Sequence, residues 1–149
     1  MHELKNVLVT GGAGFIGANF IRYLLDVEAS VKVINLDLLT YAGTLENLRD
    51  LPRAQQHQFV HGDISDYSLV EKLIREYQID TIVHFAAETH VDRSIKFPEP
   101  FIHSNIVGTF TLLEAARRVW FEETKLRGAV RFHHVSTDEV FGSLGDADP

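Results

Sequence analysis

Lys5-Asn6-Val7-Leu8-Val9-Thr10-Gly11-Gly12-Ala13-Gly14-Phe15-Ile16-Gly17 is the stretch that decides the fold. An apolar, β-branched run that breaks into glycines and resumes as an amphipathic pattern predicts strand, tight turn and helix, the arrangement on which a pyrophosphate docks. Gly11 permits turn angles that other residues avoid, Gly14 lets the backbone approach a diphosphate, and Gly17 lets the new helix lie against the sheet. The helix start adds unpaired N–H donors and the positive end of the helix dipole. The spacing is G-x-x-G-x-x-G, for which a purely structural turn is the rival reading. The strand before it and the helix after it favour dinucleotide binding.

Outward from this turn, strands and helices alternate. Ile16, Phe20, Ile21, Leu24 and Leu25 recur at helical spacing over 14–28. A strand over 31–37 and a loop with a short helix over 38–52 follow. Residues 58–61 read as strand three, and Asp66 or Ser68 caps a helix carrying Leu69, Val70, Leu73, Ile74 and Tyr77 on one face. Strand four covers 81–85, and a loop over 86–100 holds Pro98 and Pro100, which resist helix until after the second. A long helix over 101–124 has Ile102, Ile106, Thr109, Leu112, Leu113, Ala116 and Trp120 on its buried side, with Gly108 at a close approach. Strand five covers 129–135. Alternation over the whole length predicts an α/β fold: a doubly wound parallel sheet, Rossmann-like, forming one domain over 1–149.

Composition narrows the function classes. With 149 residues and 45% hydrophobic content the chain builds one core. A formal charge of -7 without clustered Lys and Arg argues against nucleic-acid or anionic-membrane partners. Cysteine is absent, which removes thiolate chemistry and disulfides. The sequence shows no signal-peptide pattern and no apolar run of membrane-spanning length, so a cytoplasmic location is expected. Eight histidines raise the question of a metal. Adjacent His133 and His134 point to opposite faces of a strand and His84 reads as a core residue, so no metal site is expected.

In a doubly wound sheet ligands bind beyond the carboxyl ends of the strands, so the polar residues there are candidates. They are the glycine turn, Asp37, Asp63, the Glu88–His90 loop and Thr137–Glu139. Asp37 stands twenty residues after Gly17, where an acid accepts from adenosine ribose hydroxyls and repels the extra phosphate of NADP, favouring NAD. A helix or loop cap is its alternative role. Asp63 can accept from an adenine amino group, although Gly-Asp is also ordinary turn chemistry. Asp138 and Glu139 are neighbouring carboxylates at a strand end. Their environment would push their pKa values apart, giving one acid and one base, unless they form a solvated acidic turn.

GGAGFIG, the Asp37 strand end with LTYAG after it, HGDI, FAAETHVDRSI, NIVGT and HHVSTDEVFG together resemble the dTDP-glucose 4,6-dehydratases of the extended short-chain dehydrogenase/reductase superfamily, over the full length. The resemblance implies that Phe15 and Ile16 contact the pyrophosphate. It implies that Asp37, Leu38, Leu39 and Thr40 hold the adenosine ribose, and that Asp63 and Ile64 hold adenine. Phe85, Ala86, Ala87, Glu88 and Thr89 would line the nicotinamide side, with Ser104 as a further cofactor contact. Thr89, His90, Ser136 and Thr137 would meet the sugar nucleotide. In that family hydride leaves C4 of the glucose unit for NAD and acidifies the C5 proton. Glu139 would remove that proton while Asp138 protonates the departing C6 hydroxyl, Thr137 would bond the C4 oxygen, and the hydride returns to C6 to give dTDP-4-keto-6-deoxyglucose. The resemblance also implies deoxysugar supply, and a homodimer formed through the long helix in a full-length parent.

This sequence departs from the family pattern at Leu38, where many relatives have Lys, at Thr89 for Ser and at Phe141 for Tyr. The family's Tyr-x-x-x-Lys pair and substrate domain would lie beyond Pro149, so the 149-residue chain is expected to bind NAD weakly and not to turn over substrate. A UDP- or GDP-sugar dehydratase, an epimerase or a decarboxylase of the same superfamily is an alternative. A non-catalytic NAD-sensing domain is another, against which the Thr137-Asp138-Glu139 triplet argues.

Overall fold

The computed structural model describes residues 4–123, 130–137, 140, 142 and 145. Five strands, β1 (Asn6–Thr10), β2 (Lys32–Asp37), β3 (His57–His61), β4 (Thr81–His84) and β5 (Arg131–His134), form one sheet in the order β3-β2-β1-β4-β5. Every pairing is parallel. The first crossover, through helix α1 (Phe15–Val27), covers one face, where Val7, Val9, Val33 and Val83 pack against Ile21, Leu24 and Leu25. Leu48 and Leu51 of the β2–β3 connection join this face, whereas the β3–β4 and β4–β5 crossovers cover the other, where Leu8, Ile34 and Ile82 pack against α2 (Tyr67–Glu76) and Leu112, Ala115 and Val119 of the long helix. Alternate residues of each strand feed opposite cores, which is why the strands read as unbroken apolar runs. The doubly wound expectation therefore holds.

Local chemistry accounts for the boundaries. The Asp66 carboxylate accepts from the Leu69 N–H at 3.0 Å and caps α2, one of the two caps expected. Thr44 caps a single 3₁₀ turn, Leu45–Leu48, in the loop after β2. A short helix α3 (Val91–Lys96) interrupts the segment expected to be loop. It buries no side chain, and its one apolar pair at helical spacing, Val91 and Ile95, is exposed.

The long helix, α4, spans 99–123 and is not uniform. Its turns are α-helical at Glu99–Phe101 and Thr109–Arg117 but π-helical at Ile102–Gly108 and Arg118–Glu123. It begins before Pro100, which sits in the first turn, where a missing N–H costs nothing. The wider π turns rotate the buried face away from 3.6-residue spacing. Gly108, Thr111, Leu112, Ala115, Ala116, Val119 and Trp120 are buried, whereas Ile102, Ile106 and Leu113, expected inside, are exposed. Ile16 of α1 is likewise exposed, because the face of α1 against the sheet runs through Gly17, Ala18, Ile21, Leu24 and Leu25. Trp120 donates to the Ile79 carbonyl at 2.7 Å and fixes the far end of α4 to the start of β4. Among the described residues no helix is long and apolar enough to cross a membrane.

Candidate functional site

The strand registers place one row of residues across the sheet: Val60, Leu36, Thr10, His84 and His134. The next residue of each strand begins a common rim at the carboxyl edge. β1 is the switch point, since the chain passes to β2 on one side and later to β4 on the other. A cleft with about 620 Å³ of space open to solvent lies along this rim.

Gly11 occupies the switch point at φ +71°, and a Cβ there would lie 2.6 Å from the Ala86 nitrogen and 2.9 Å from the Phe85 carbonyl carbon. Only glycine combines that backbone angle with so close a contact between two loops. Beyond it Gly14 is the N-cap of α1, and its carbonyl takes the Ala18 N–H at 3.0 Å. The N–H groups of Phe15, Ile16 and Gly17 therefore precede the first intrahelical donor. No acidic side chain of α1 itself occupies that first turn.

Asp37 ends β2 almost fully buried. Its Oδ2 accepts from the Ala13 N–H and its Oδ1 from the Leu39 N–H, both at 2.8 Å. The cap alternative is thus realised: Asp37 ties the glycine turn to the loop after β2, where Leu39 is held at φ 53°. Two of the carboxylate's four acceptor directions remain. Leu38, Thr40, Ala42 and Gly43 continue this wall of the cleft.

Asp63 and Ile64, after β3, face the cleft from the other side. The Asp63 Oδ1 accepts from the Ser65 N–H at 2.8 Å, and its Oδ2 lies 3.1 Å from His103 Nε2. Burial pushes this carboxyl up, but the Ser65 N–H, the Ser65 hydroxyl and His103 outweigh it and leave it below its ordinary value. The side chain of Ile64 fills the space over Gly108, where a Cβ would lie 2.5 Å from Ile64 Cδ1, so the close approach expected at Gly108 is present.

The loop after β4 is held by two devices. Asn105, in the π-helical part of α4, accepts from the Glu88 N–H at 2.8 Å and donates to the Glu88 carbonyl at 2.9 Å. Beneath, the buried His84 ring has Nδ1 2.6 Å from Thr10 Oγ1 and Nε2 2.9 Å from Thr109 Oγ1, and the Ala86 N–H donates to the same Thr10 hydroxyl at 3.4 Å. A neutral imidazole satisfies both threonines by accepting at one nitrogen and donating at the other. Burial, helped by the nearby His134, lowers the His84 pKa from 6.5 to about 4.

The cleft brings together Gly11, Gly14, Asp37, Leu38, Thr40, Asp63, Ile64, Phe85, Ala86, Ala87, Glu88 and Ser104. Phe15 and Ile16 stand at its edge with exposed side chains, and Leu39 takes part through its backbone. Thr89 and His90 are exposed outside this wall, and the His90 carbonyl starts α3 by accepting from the Arg93 N–H. Ser136 and Thr137 are exposed just past β5. Asp138, Glu139 and Phe141 lie outside the described residues. His103 carries no motif signal in one sequence; Ala42 and Gly43, within LTYAG, and Asn105, within NIVGT, receive no role from it, and the pairing of Asn105 with the Glu88 amide, 17 residues away, leaves no local mark.

The fold and the cleft define a Rossmann-like α/β domain with its site at the switch point. The chain belongs to the family described as GDP-mannose 4,6 dehydratase, whose model matches residues 8–148. It is 55% identical over 141 residues to a dTDP-glucose 4,6-dehydratase of Xanthomonas campestris pv. campestris, covering 93% of this chain and 39% of that protein. An Escherichia coli dTDP-glucose 4,6-dehydratase is 49% identical over 143 residues, covering 95% of this chain and 39% of that protein. Among solved structures, the NAD-bound dTDP-glucose 4,6-dehydratase of Streptomyces venezuelae matches with TM-score 0.81 and 48% identity, over 94% of this chain and 42% of that one. A UDP-glucose 4-epimerase of Thermotoga maritima matches with TM-score 0.73 and 30% identity, over 89% of this chain and 38% of that one. The chain spans about two fifths of the length of the curated relatives it matches.

Proposed function

We propose that this chain is the NAD-binding domain of a cytoplasmic dTDP-glucose 4,6-dehydratase, and that it also carries that enzyme's acid and base. The observation that carries the reading is the switch-point cleft, with unpaired helix N–H groups at one end and the Asp63 carboxylate at the other. The residues fit the cofactor. Around Gly14 a Cβ would meet only the Gly11 carbonyl at 3.3 Å and the Ala42 carbonyl at 4.0 Å, so bare backbone faces the diphosphate position. Asp37 keeps acceptor capacity for ribose hydroxyls, and Asp63 for an amino group. Bound there, NAD supplies the hydride acceptor and donor.

The chain's own residues do the rest. Asn105, Thr10 and His84 fix the 85–88 loop, against which the nicotinamide would rest. Thr137 bonds the C4 oxygen of the sugar, Glu139 takes the C5 proton and Asp138 gives a proton to the leaving C6 hydroxyl. The sheet register supports this placement, since β5 ends level with β1 and β4. Ile102, Ile106, Phe110 and Leu113 expose 53%, 64%, 64% and 47% of their surface along α4, which supports a homodimer through that helix.

The test joins residues 1–149 to the remainder of the Xanthomonas relative and supplies dTDP-glucose. A 4-keto-6-deoxy product, read by its absorbance in alkali and lost in Asp138→Asn and Glu139→Gln, is expected. A fused protein that folds and binds NAD but forms no product overturns the dehydratase reading. The 149-residue chain alone is expected to make none.

A further inference from the structure

His103 is the ionisable side chain that α4 places against Asp63, and its geometry is restrictive. A carboxylate only accepts, so the 3.1 Å contact between His103 Nε2 and Asp63 Oδ2 requires a proton on Nε2. The same nitrogen lies 2.7 Å from Ser65 Oγ. The Ser65 N–H meanwhile holds the other carboxylate oxygen, Oδ1, at 2.8 Å. The Asp63 plane is therefore pinned at both oxygens, from its own turn on one side and from the helix on the other. Without the helix contact only Ser65, from its own turn, holds the partly exposed carboxylate against rotation about χ2, which is a broad, two-fold torsion.

We infer that His103 is a positioning residue for base recognition: by donating from Nε2 to Asp63 Oδ2 it holds the carboxylate in the orientation that accepts the exocyclic amino group of adenine. This rests on the reading of the cleft as an NAD site with Asp63 on the adenine side. An acceptor-only group fixed in place discriminates a 6-amino purine, which donates there, from a 6-oxo purine, which presents a second acceptor. The depressed Asp63 pKa keeps the group ionised, hence acceptor-only, at neutral pH. The π-helical geometry of Ile102–Gly108 supports the assignment. The same segment presents His103 to Asp63, Asn105 to Glu88 and bare Gly108 to Ile64, so three consecutive contacts of the cleft depend on it.

The test compares calorimetric affinities of the 149-residue chain for NAD and for nicotinamide hypoxanthine dinucleotide, whose base carries a 6-oxo group and an N1–H in place of the 6-amino group and bare N1. The unmodified chain is expected to favour NAD by about tenfold. His103→Ala is expected to bring that ratio below about threefold, Asp63→Asn to abolish it, and His103→Gln, which keeps an N–H donor, to restore most of it. A merely structural role for His103 weakens both dinucleotides alike and leaves the ratio unchanged, and that result overturns the assignment while sparing the NAD site. A ratio untouched by Asp63→Asn overturns the adenine role of Asp63 and that of His103 with it. Binding of neither dinucleotide overturns the NAD reading as a whole.

Discussion

The Asp37 carboxylate and the Ala13 amide meet at 2.8 Å, so the acid that ends β2 is also the residue that holds the glycine turn in place. The group proposed to meet the ribose and the turn proposed to meet the diphosphate are one mechanical unit. Asp37→Ser replaces the two carboxylate oxygens that serve the Ala13 and Leu39 N–H groups by one shorter hydroxyl, so at least one of these amides loses its acceptor in a largely buried setting. The expected cost is about 1–3 kcal/mol of stability, read by chemical denaturation. In the same variant the preference for NAD over NADP, expected at about tenfold or more in the unmodified chain, narrows because no carboxylate opposes the 2′-phosphate. Unchanged selectivity in a folded variant would remove Asp37 from the ribose role and leave it a cap.

Two glycines should differ sharply in their tolerance of a methyl group. At Gly11 the added carbon meets the backbone of Phe85 and Ala86 and must sit at φ +71°, and neither constraint can relax without parting β1 from the loop after β4. At Gly108 it meets the Cδ1 and Cγ1 of Ile64, the end of a side chain that can change rotamer. Gly11→Ala is expected to cost more than about 3 kcal/mol or to prevent folding, and Gly108→Ala about 1–2 kcal/mol. Thermal unfolding of the two variants side by side checks the ranking.

Asn105→Asp is nearly isosteric but exchanges the donor to the Glu88 carbonyl for a second acceptor. The loop then loses one hydrogen bond and gains a repulsion at the wall of the cleft. NAD affinity is expected to fall about tenfold, with a change in melting temperature smaller than that of Gly108→Ala, since Asn105 is exposed and carries no core packing. Calorimetry and a melting curve separate the two effects. Equal affinity in the variant would show that the loop is held by Thr10 and His84 alone.

What the sequence made legible follows from which signals are local. The glycine turn, a helix cap at Asp66 or Ser68 and the alternation of five strands with helices depend on neighbouring residues, and the structure has the turn, the cap at Asp66 and the five parallel strands. The face of α4 was misjudged because its phase depends on π turns, which leave no mark in composition. Ile106 is thus exposed where 3.6-residue periodicity buries it. Helix α3 was invisible because it packs nothing away. Within the site, Asp37 and Asp63 were legible from their position after strands. Their holding partners, Ala13 at 24 residues' separation and His103 at 40, were not, because a single chain carries no record of distant pairing.

The buried His84 makes stability depend on pH in a defined window. Burial first, and the neighbouring His134 second, lower its pKa from 6.5 to about 4, while in the unfolded chain it takes up a proton near 6.5. Between those values the unfolded state binds the extra proton, so stability falls as pH falls from 6.5 towards 4 and is fully present above 6.5. The total is about 3 kcal/mol. His57, also lowered by burial, acts in the same direction. Replacing the ring by a non-titrating amide, His84→Asn, weakens the bridge from Thr10 to Thr109 and lowers stability at pH 7, but it removes the largest part of this slope. Denaturant titrations at several pH values from 4.5 to 7.5 should therefore give two lines that converge on acidification. Parallel lines would mean that the differential proton uptake belongs to other groups and that His84 titrates alike in both states.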